Sequence, residues 1–361
     1  MSDKLKCARE IINEVDRDMA ALFVRRMEAA RLVAEYKSEM GLEIYDKRRE
    51  DEVIRRNSAY VEDEELKSFY VTFLNGVMSV SRSYQSVLME GMRVAYSGTV
   101  GAFAHIATMK LFPTAKKVAY PSFEDAYRAV ENGECDVAVL PTENSYNGEV
   151  GQVTDLMFSG SLYVNGVTEL EISQDLLGVP GATVGDIKEV ISHAQALGQC
   201  AEYIKRHGLT TREYSNTALA AEKVSELGDR SIGAIASSEA AEIFGLSVLE
   251  RNINESRTNT TKFAVFGRTM AKPKSEMGVH TILLFTVRHE AGALAKAIDV
   301  IGRHGFNMKC LRSRPMKELL WQYYFYVEAE GDIDSPDGVA MLEELGEYCD
   351  RLRVVGNFLK K

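Results

Sequence analysis

"CDVAVLPTENSYNGEVG", residues 135–151, is the stretch on which the fold turns. Val137 to Leu140 form a short apolar run of the kind that fills a buried strand. The run breaks into Thr142, Glu143, Asn144, Ser145 and Tyr146, and a glycine turn follows at Gly148. A core-directed strand that ends in uncharged hydrogen-bonding groups around one carboxylate admits four readings: a turn, a glycan acceptor, a metal site or a substrate site. The glycan reading fails, because Tyr146 takes the third position of the Asn144 triplet. Asn254 and Asn259 do stand in acceptor triplets, which are chance matches in a chain without a secretion signal.

The same texture recurs on both sides. "MRVAYSG" (92–98), "KEVISHAQ" (188–195) and "RSIGAIASSEAA" (230–241) each read as a buried strand breaking into small polar residues. Helical patterns follow most of them, as in "FAHIATMKLF" (103–112), "ALGQCAEYIKRHG" (196–208) and "EAAEIFGL" (239–246). Alternating strand and helix predicts a mainly parallel sheet. Two clusters, about 93–170 and 175–245, predict two lobes, and "NTTKFAVFGR" (259–268) returns as a late strand.

Upstream the texture is helical. The first proline is Pro113, and only Gly41 and Gly76 interrupt residues 1–90. Helices are expected over about 5–40, 46–56 and 63–89. The first is too long for a compact globular helix and implies a bundle or an intertwined dimer. Downstream, the polar stretch "RTMAKPKSEMG" (268–278) precedes a βαββαβ order, a ferredoxin-like unit over about 279–358. The expected domains are therefore 1–90, 91–270 and 278–361. Trp321, the single tryptophan, is expected to anchor a core or an interface.

The bulk properties exclude several functions. A formal charge of −10 argues against nucleic-acid or anionic-membrane surfaces. No apolar run suits a signal peptide or a membrane span, so a cytoplasmic location is expected. Five scattered cysteines without a CxxC pair fit reduced thiols. "GTVG" (98–101) is neither a dinucleotide fingerprint nor a phosphate loop, and His105 and His193 have no ligand-spaced Asp, Glu or Cys. No cofactor and no metal are therefore expected.

Two sets of residues carry chemistry. In the helical region Arg26 and Lys37 fall within about 20° of one helix face, while Arg9 lies ~80–100° away and suits a partner chain's site better. Asp46, Arg49 and Glu50 cluster at i, i+3, i+4 spacing, and Ser81 and Gln85 form an i, i+4 pair. In the two-lobed region, Ser97, Thr99, Ser192, Gln195, Gln199, Ser237, Ser238, Thr260 and Thr261 all stand at strand ends. Ligands of open α/β sheets bind there.

The helical residues resemble the helical chorismate mutases: Arg9, Asp16, Arg26, Lys37, "DKRRE" (46–50) and "SRSYQ" (81–85). The resemblance implies an intertwined helical dimer that rearranges chorismate to prephenate. Arg9 (from the partner), Arg26 and Arg49 would hold the carboxylates, and Lys37 and Gln85 would face the ether oxygen. Asp46, Glu50 and Ser81 would orient the substrate. Planar guanidinium forks suit carboxylates, and a pericyclic step asks only for positioning and charge stabilisation.

The strand-end motifs are collinear with, and resemble, prephenate dehydratase over about 92–268. That family has a two-lobed α/β domain like the periplasmic binding proteins. The resemblance implies expulsion of carbon dioxide and water from prephenate, with Thr261 assisting the departing hydroxyl. Asn144, Ser192 and Gln199 would bind substrate and Glu143 would support the site. The family's Thr-Arg-Phe is Thr261-Lys262-Phe263 here, and its Gly-Pro-x-Gly-Thr loop is altered at Thr99 and Ala102.

The last segment resembles an ACT regulatory domain. Gly292, Ala293 and Leu294 match its helix start, and Ser313, Arg314 and Pro315 match its Glu-Ser-Arg-Pro segment, with Arg312 in place of the glutamate. The resemblance implies phenylalanine as effector and a homodimer or homotetramer. A mutase–dehydrogenase fusion would need a dinucleotide fingerprint, and a ligand sensor would bind prephenate without forming phenylpyruvate.

Overall fold

The computed structural model describes residues 3–255, 259–273, 278–316 and 322–360, so Trp321 and residues 274–277 of the expected linker lie outside the described residues. The chain separates into two compact units: Met1–Arg93 with Thr114–Lys116, and Val94–Pro113 with Lys117–Lys361.

The first unit is made of α1 (Asp3–Met40), α2 (Lys47–Ser58) and α3 (Glu64–Glu90). Asp46 caps α2 by accepting from the Arg49 backbone N–H at 3.0 Å, and Asp63 caps α3 through Glu65 and Leu66. Gly41 at φ +64 ends α1 where an L side chain would be strained. Ala30 and Ala34 are buried on α1 and Leu74 and Met78 on α3, with small residues allowing close approach of the two helices. The other half of α1 is different. Every residue from Lys4 to Arg25 is exposed, including Ile11, Ile12, Val15, Leu22 and Phe23.

The second unit holds two sheets. The chain runs β1 (Arg93–Ser97), α4 (Phe103–Leu111), β2 (Lys116–Tyr120), α5 (Phe123–Glu131), β3 (Val137–Asn144), β4 (Gly148–Glu149), α6 (Gly151–Ser159) and β5 (Tyr163–Glu171). A second lobe follows with β6 (Asp175–Gly178), β7 (Glu189–Ser192), α7 (Ala194–Gln199), α8 (Ala201–His207), β8 (Thr210–Glu213), α9 (Thr217–Leu227), β9 (Ile232–Ala236), α10 (Ser238–Phe244) and β10 (Ser247–Glu250). β11 (Thr260–Gly267) then returns to the first lobe and inserts between β3 and β5. The last segment is β12 (Val279–Val287), α11 (Ala293–Arg303), β13 (Asn307–Pro315), β14 (Tyr323–Glu330), α12 (Pro336–Tyr348) and β15 (Cys349–Leu359).

The expectation of mainly parallel sheets needs correction. β1 pairs parallel with β3, and β7 with both β8 and β9, but β11 runs antiparallel to both its neighbours and β6 antiparallel to β9 and β10. The reason is that the chain crosses between lobes twice, and each return leg enters its sheet from the opposite end. The single helix expected over 196–208 is also two, broken at Cys200.

The C-terminal segment continues the first lobe's sheet, in the order β13-β14-β12-β15-β5-β11-β3-β1-β2. Period-2 alternation explains how β12 serves two cores. Ile282 and Leu284 pack with Phe266, Leu140 and Phe358, while Leu283 and Phe285 pack with Val300, Ile301 and Leu345 of α11 and α12.

Candidate active sites

In the helical unit Arg26, not Arg25, turns toward α3. Its Nη1 donates to Ser81 Oγ and reaches the Val77 carbonyl at 3.4 Å. Burial pushes the Arg26 pKa below its ordinary value, a cost that a bound carboxylate would offset. One turn further along α3, Gln85 is buried, and its Oε1 has no hydrogen-bond partner. A buried amide oxygen without a partner asks for an explanation in a folded chain. Lys37 Nζ donates to the Ile44 carbonyl at 2.6 Å, and Glu50 pairs with Arg82. Arg49 lies on the surface, paired with Glu52 at 2.8 Å. Arg9 is 17 residues before Arg26 on α1, about 25 Å along the axis at 1.5 Å per residue. It does not join its own chain's cluster.

Arg82 joins this group of side chains through Glu50. It stands beside Ser81 in "SRSYQ", and its guanidinium also lies 5.5 Å from the Tyr45 ring centroid. Its partner Glu50 is 32 residues away on another helix, a contact that local spacing does not reveal.

In the second unit a cleft of about 390 Å³ opens between the lobes. One wall holds Phe103, Asn144, Glu149 and Thr261; the other holds His193, Gln195, Gln199, Asn216 and Thr217. No lysine or arginine lines it among the described residues. Asn144 and Thr261 are cross-strand partners at the junction of β3 and β11, next to a bulge between Lys262 and Phe263. Asn144 Nδ2 donates to Thr261 Oγ1 at 2.9 Å. Its Oδ1 accepts from the Tyr146 and Asn147 backbone N–H groups at 3.0 and 2.9 Å. The polar end of the opening stretch is thus both a turn and a wall of the cleft.

Glu143 and Ser192 do not line the cleft. Successive residues of a strand face opposite ways, so Glu143 points away from the side that Asn144 occupies. It pairs with Lys262 Nζ at 2.9 Å and with Arg312 of β13. Lys262, the departure from Thr-Arg-Phe, is therefore a partner of Glu143 on the far side of the sheet. Ser192 is fully buried and donates its hydroxyl to the Ile235 carbonyl at 2.5 Å, joining β7 to β9. His105 and His193 bond to the backbone: His105 Nδ1 accepts from the Gly101 N–H at 3.2 Å, and His193 caps α7. At Gly101, with φ +84, an added Cβ would stand 3.0 Å from Phe244 and 3.2 Å from Ala218, both of the other lobe, so glycine lets the lobes meet there.

The cleft also contains residues that the sequence reading did not single out as site members. Asn259 links Asn144 to Gln199, at 2.8 and 3.3 Å. Asn216 caps α9 and donates to Thr99 Oγ1 at 3.4 Å. Gln174 is buried at the crossover between lobes, with an unpartnered Oε1. Asn259 had a visible signal in its place two residues before Thr261.

At the C-terminal segment Gly292 is the N-cap of α11 with φ +83, Ala293 is buried and Leu294 half-buried. Ser313 is exposed on β13 and lies opposite Phe325, which lies opposite Phe285, so Ser313 and the start of α11 share one end of the sheet. Arg314 alternates inward. Its Nε donates to Asp155 Oδ1 at 2.9 Å and its Nη1 stands 3.5 Å from Glu149 Oε2. Gly151, which begins α6, leaves the room that this guanidinium fills.

The chorismate mutase type II family model matches residues 8–86, and the prephenate dehydratase family model matches residues 94–271. The bifunctional chorismate mutase/prephenate dehydratase of Aquifex aeolicus (strain VF5) is 30% identical over 369 residues, covering 99% of this chain and 98% of the relative. Among solved structures, a prephenate dehydratase from Arthrobacter aurescens in complex with L-Phe superposes with a TM-score of 0.68 at 25% identity, over 74% of this chain and 90% of that one. A quorum-quenching acylase, GqqA, superposes with a TM-score of 0.69 at 30% identity, over 74% of this chain and 98% of that one. One fold therefore carries differently named activities, and the assignment rests on the full-length likeness and on both family matches together. On those grounds the chain belongs to the family of bifunctional chorismate mutase/prephenate dehydratases, and it is an enzyme with both activities, rearranging chorismate to prephenate and converting prephenate to phenylpyruvate with loss of carbon dioxide and water.

Proposed function

We propose that the interlobe cleft dehydrates prephenate with Thr261 as the proton-donating group. The observation that carries this reading is the hydrogen bond from Asn144 Nδ2 to Thr261 Oγ1. With that oxygen already accepting, and no acceptor for its hydrogen among the described residues, the Thr261 O–H is left to point into the cleft. It meets the ring hydroxyl as that group leaves. The ring C–CO₂ bond breaks, its electron pair completes the aromatic ring, the ring C–O bond breaks, and the departing hydroxyl takes a proton to become water. Solvent returns the proton to Thr261. Aromatisation drives the step, so the enzyme need only hold the substrate and assist one leaving group.

A cleft wall with no lysine or arginine among the described residues suits this chemistry. A guanidinium fixed on the departing carboxylate would stabilise the ground state more than the transition state. The start of α9, with Asn216 and Thr217 on the cleft, offers backbone N–H groups to an anion without a formal charge. Gln199 presents its amide from the other lobe. Thr261→Ala should lower prephenate turnover by ~10²–10⁴-fold. Turnover near wild type would remove Thr261 from this role.

In the helical unit, the same reading gives Arg26 and Arg49 the substrate's carboxylates, with Arg9 supplied by a second copy. Lys37 and Gln85 face the ether oxygen, and Asp46, Glu50 and Ser81 set orientation. The exposed apolar half of α1 and the ~25 Å between Arg9 and Arg26 support a homodimer with shared sites. We also read three domains, 1–90, 91–270 and 278–361, the last as an ACT unit that takes phenylalanine near Gly292–Leu294 and Ser313. Support comes from the βαββαβ order and from the two arginines of β13, which hold Glu143, Glu149 and Asp155 around the hairpin bearing Asn144.

A further inference from the structure

We propose that Asn259 is a positioning residue for dehydration, setting which atom Gln199 and Thr261 each present to the substrate. The inference rests on the reading of the interlobe cleft as the dehydratase site.

Its geometry is fixed from one end. The two backbone N–H groups of Tyr146 and Asn147 lock Asn144 Oδ1 toward the loop, so Nδ2 must face the opposite way. That amide donates to Thr261 Oγ1 at 2.9 Å and to Asn259 Oδ1 at 2.8 Å. Because Asn259 accepts there, its own Nδ2 faces Gln199, where it donates to Oε1 at 3.3 Å. Gln199 is then left with Nε2 as the atom free to meet a ligand. The chain of bonds therefore has one direction, and each link determines the next. At its two ends stand two neutral donors, the Thr261 O–H and the Gln199 N–H₂, one from each lobe. Both are what a departing hydroxyl or a keto oxygen would accept.

Asn259 is suited to the middle of this chain. It is 3% exposed, so water does not compete for its amide. Its backbone carbonyl accepts from the Ile172 N–H at 2.7 Å, tying it to the crossover between lobes. It must accept on one side and donate on the other while remaining neutral. An aspartate would accept on both sides, turn the Gln199 amide over and present an acceptor to the cleft.

The test uses the full-length protein with prephenate as substrate. Asn259→Asp should lower kcat/KM about tenfold or more, the scale of one functional hydrogen bond. In a Gln199→Leu background the same change should cost less than about threefold, since the group it orients is gone. Asn259→Ser is a second variant, whose hydroxyl can still accept from Asn144 but leaves Gln199 unheld. It should also lose about tenfold. Wild-type turnover in folded Asn259→Asp and Asn259→Ser, or an equal cost of Asn259→Asp with and without Gln199, overturns the proposal. If Thr261→Ala and Gln199→Leu each leave dehydration intact, the cleft reading fails first and the proposal with it.

Discussion

Asn144 and Glu143 are neighbours in sequence and do unlike things. Asn144 orients Thr261 inside the cleft, and Glu143 pairs with Lys262 and Arg312 behind the sheet. The residue types were legible: a strand ending in Thr, Glu and Asn marks polar groups at a sheet's edge. Which of them faces the cleft depends on the pleat, and alternation along β3 separates the two. Ser192 shows a related ambiguity, since a hydroxyl at a strand end can also bond a neighbouring strand, as it does here. At this scale His105 gives a pH prediction. Burial, with Lys117 adding to it, lowers its pKa from the ordinary 6.5, so the folded chain takes up the proton less readily than the unfolded one. Its contribution is full above pH 6.5 and is lost as pH falls below it. Thermal unfolding from pH 8 to 5 should show His105→Gln falling less steeply than wild type below pH 6.5; parallel curves would oppose this.

At the level of elements, the three N-terminal helices were readable almost to the residue because their caps are written locally, with Asp46, Asp63 and Gly41 at the boundaries. The strands of the lobes were also readable, but their directions were not. β11 is inserted antiparallel between β3 and β5 by a crossover that no local pattern encodes. The C-terminal segment was read as a βαββαβ unit, and its sheet proved continuous with the first lobe's. The exposed Ser313 and the inward Arg312 and Arg314 divide β13 into an exposed side and a side that grips the β3–β4 hairpin and α6. Arg314→Ala should therefore leave prephenate turnover without effector within about threefold of wild type while reducing its response to phenylalanine. Steady-state rates with and without phenylalanine check this. An unchanged response would separate Arg314 from regulation, and no response even in wild type would withdraw the effector reading.

For the molecule as a whole, a formal charge of −10 argues against a nucleic-acid surface, and among the described residues no helix is long and apolar enough to cross a membrane. Association is the feature that a single chain leaves incomplete. The first half of the 38-residue α1 exposes Ile11, Ile12, Leu22 and Phe23, the surface that the proposed homodimer would cover. Phe23→Asp should lower the mass found by sedimentation and reduce mutase turnover at least tenfold, because Arg9 would no longer reach a partner's site. Unchanged mass with lost activity would argue for a local defect instead.

If two separate residue sets perform the two consecutive reactions, with Thr261 assisting the second, each step can be blocked alone. Chorismate given to the full-length protein at pH 8 tests it in one time course of chorismate, prephenate and phenylpyruvate. Wild type should carry chorismate through to phenylpyruvate. Thr261→Ala should consume chorismate at the wild-type rate and accumulate prephenate, while Arg26→Ala should leave chorismate unconsumed yet still dehydrate added prephenate. Phenylpyruvate appearing from Thr261→Ala at the wild-type rate would contradict the account.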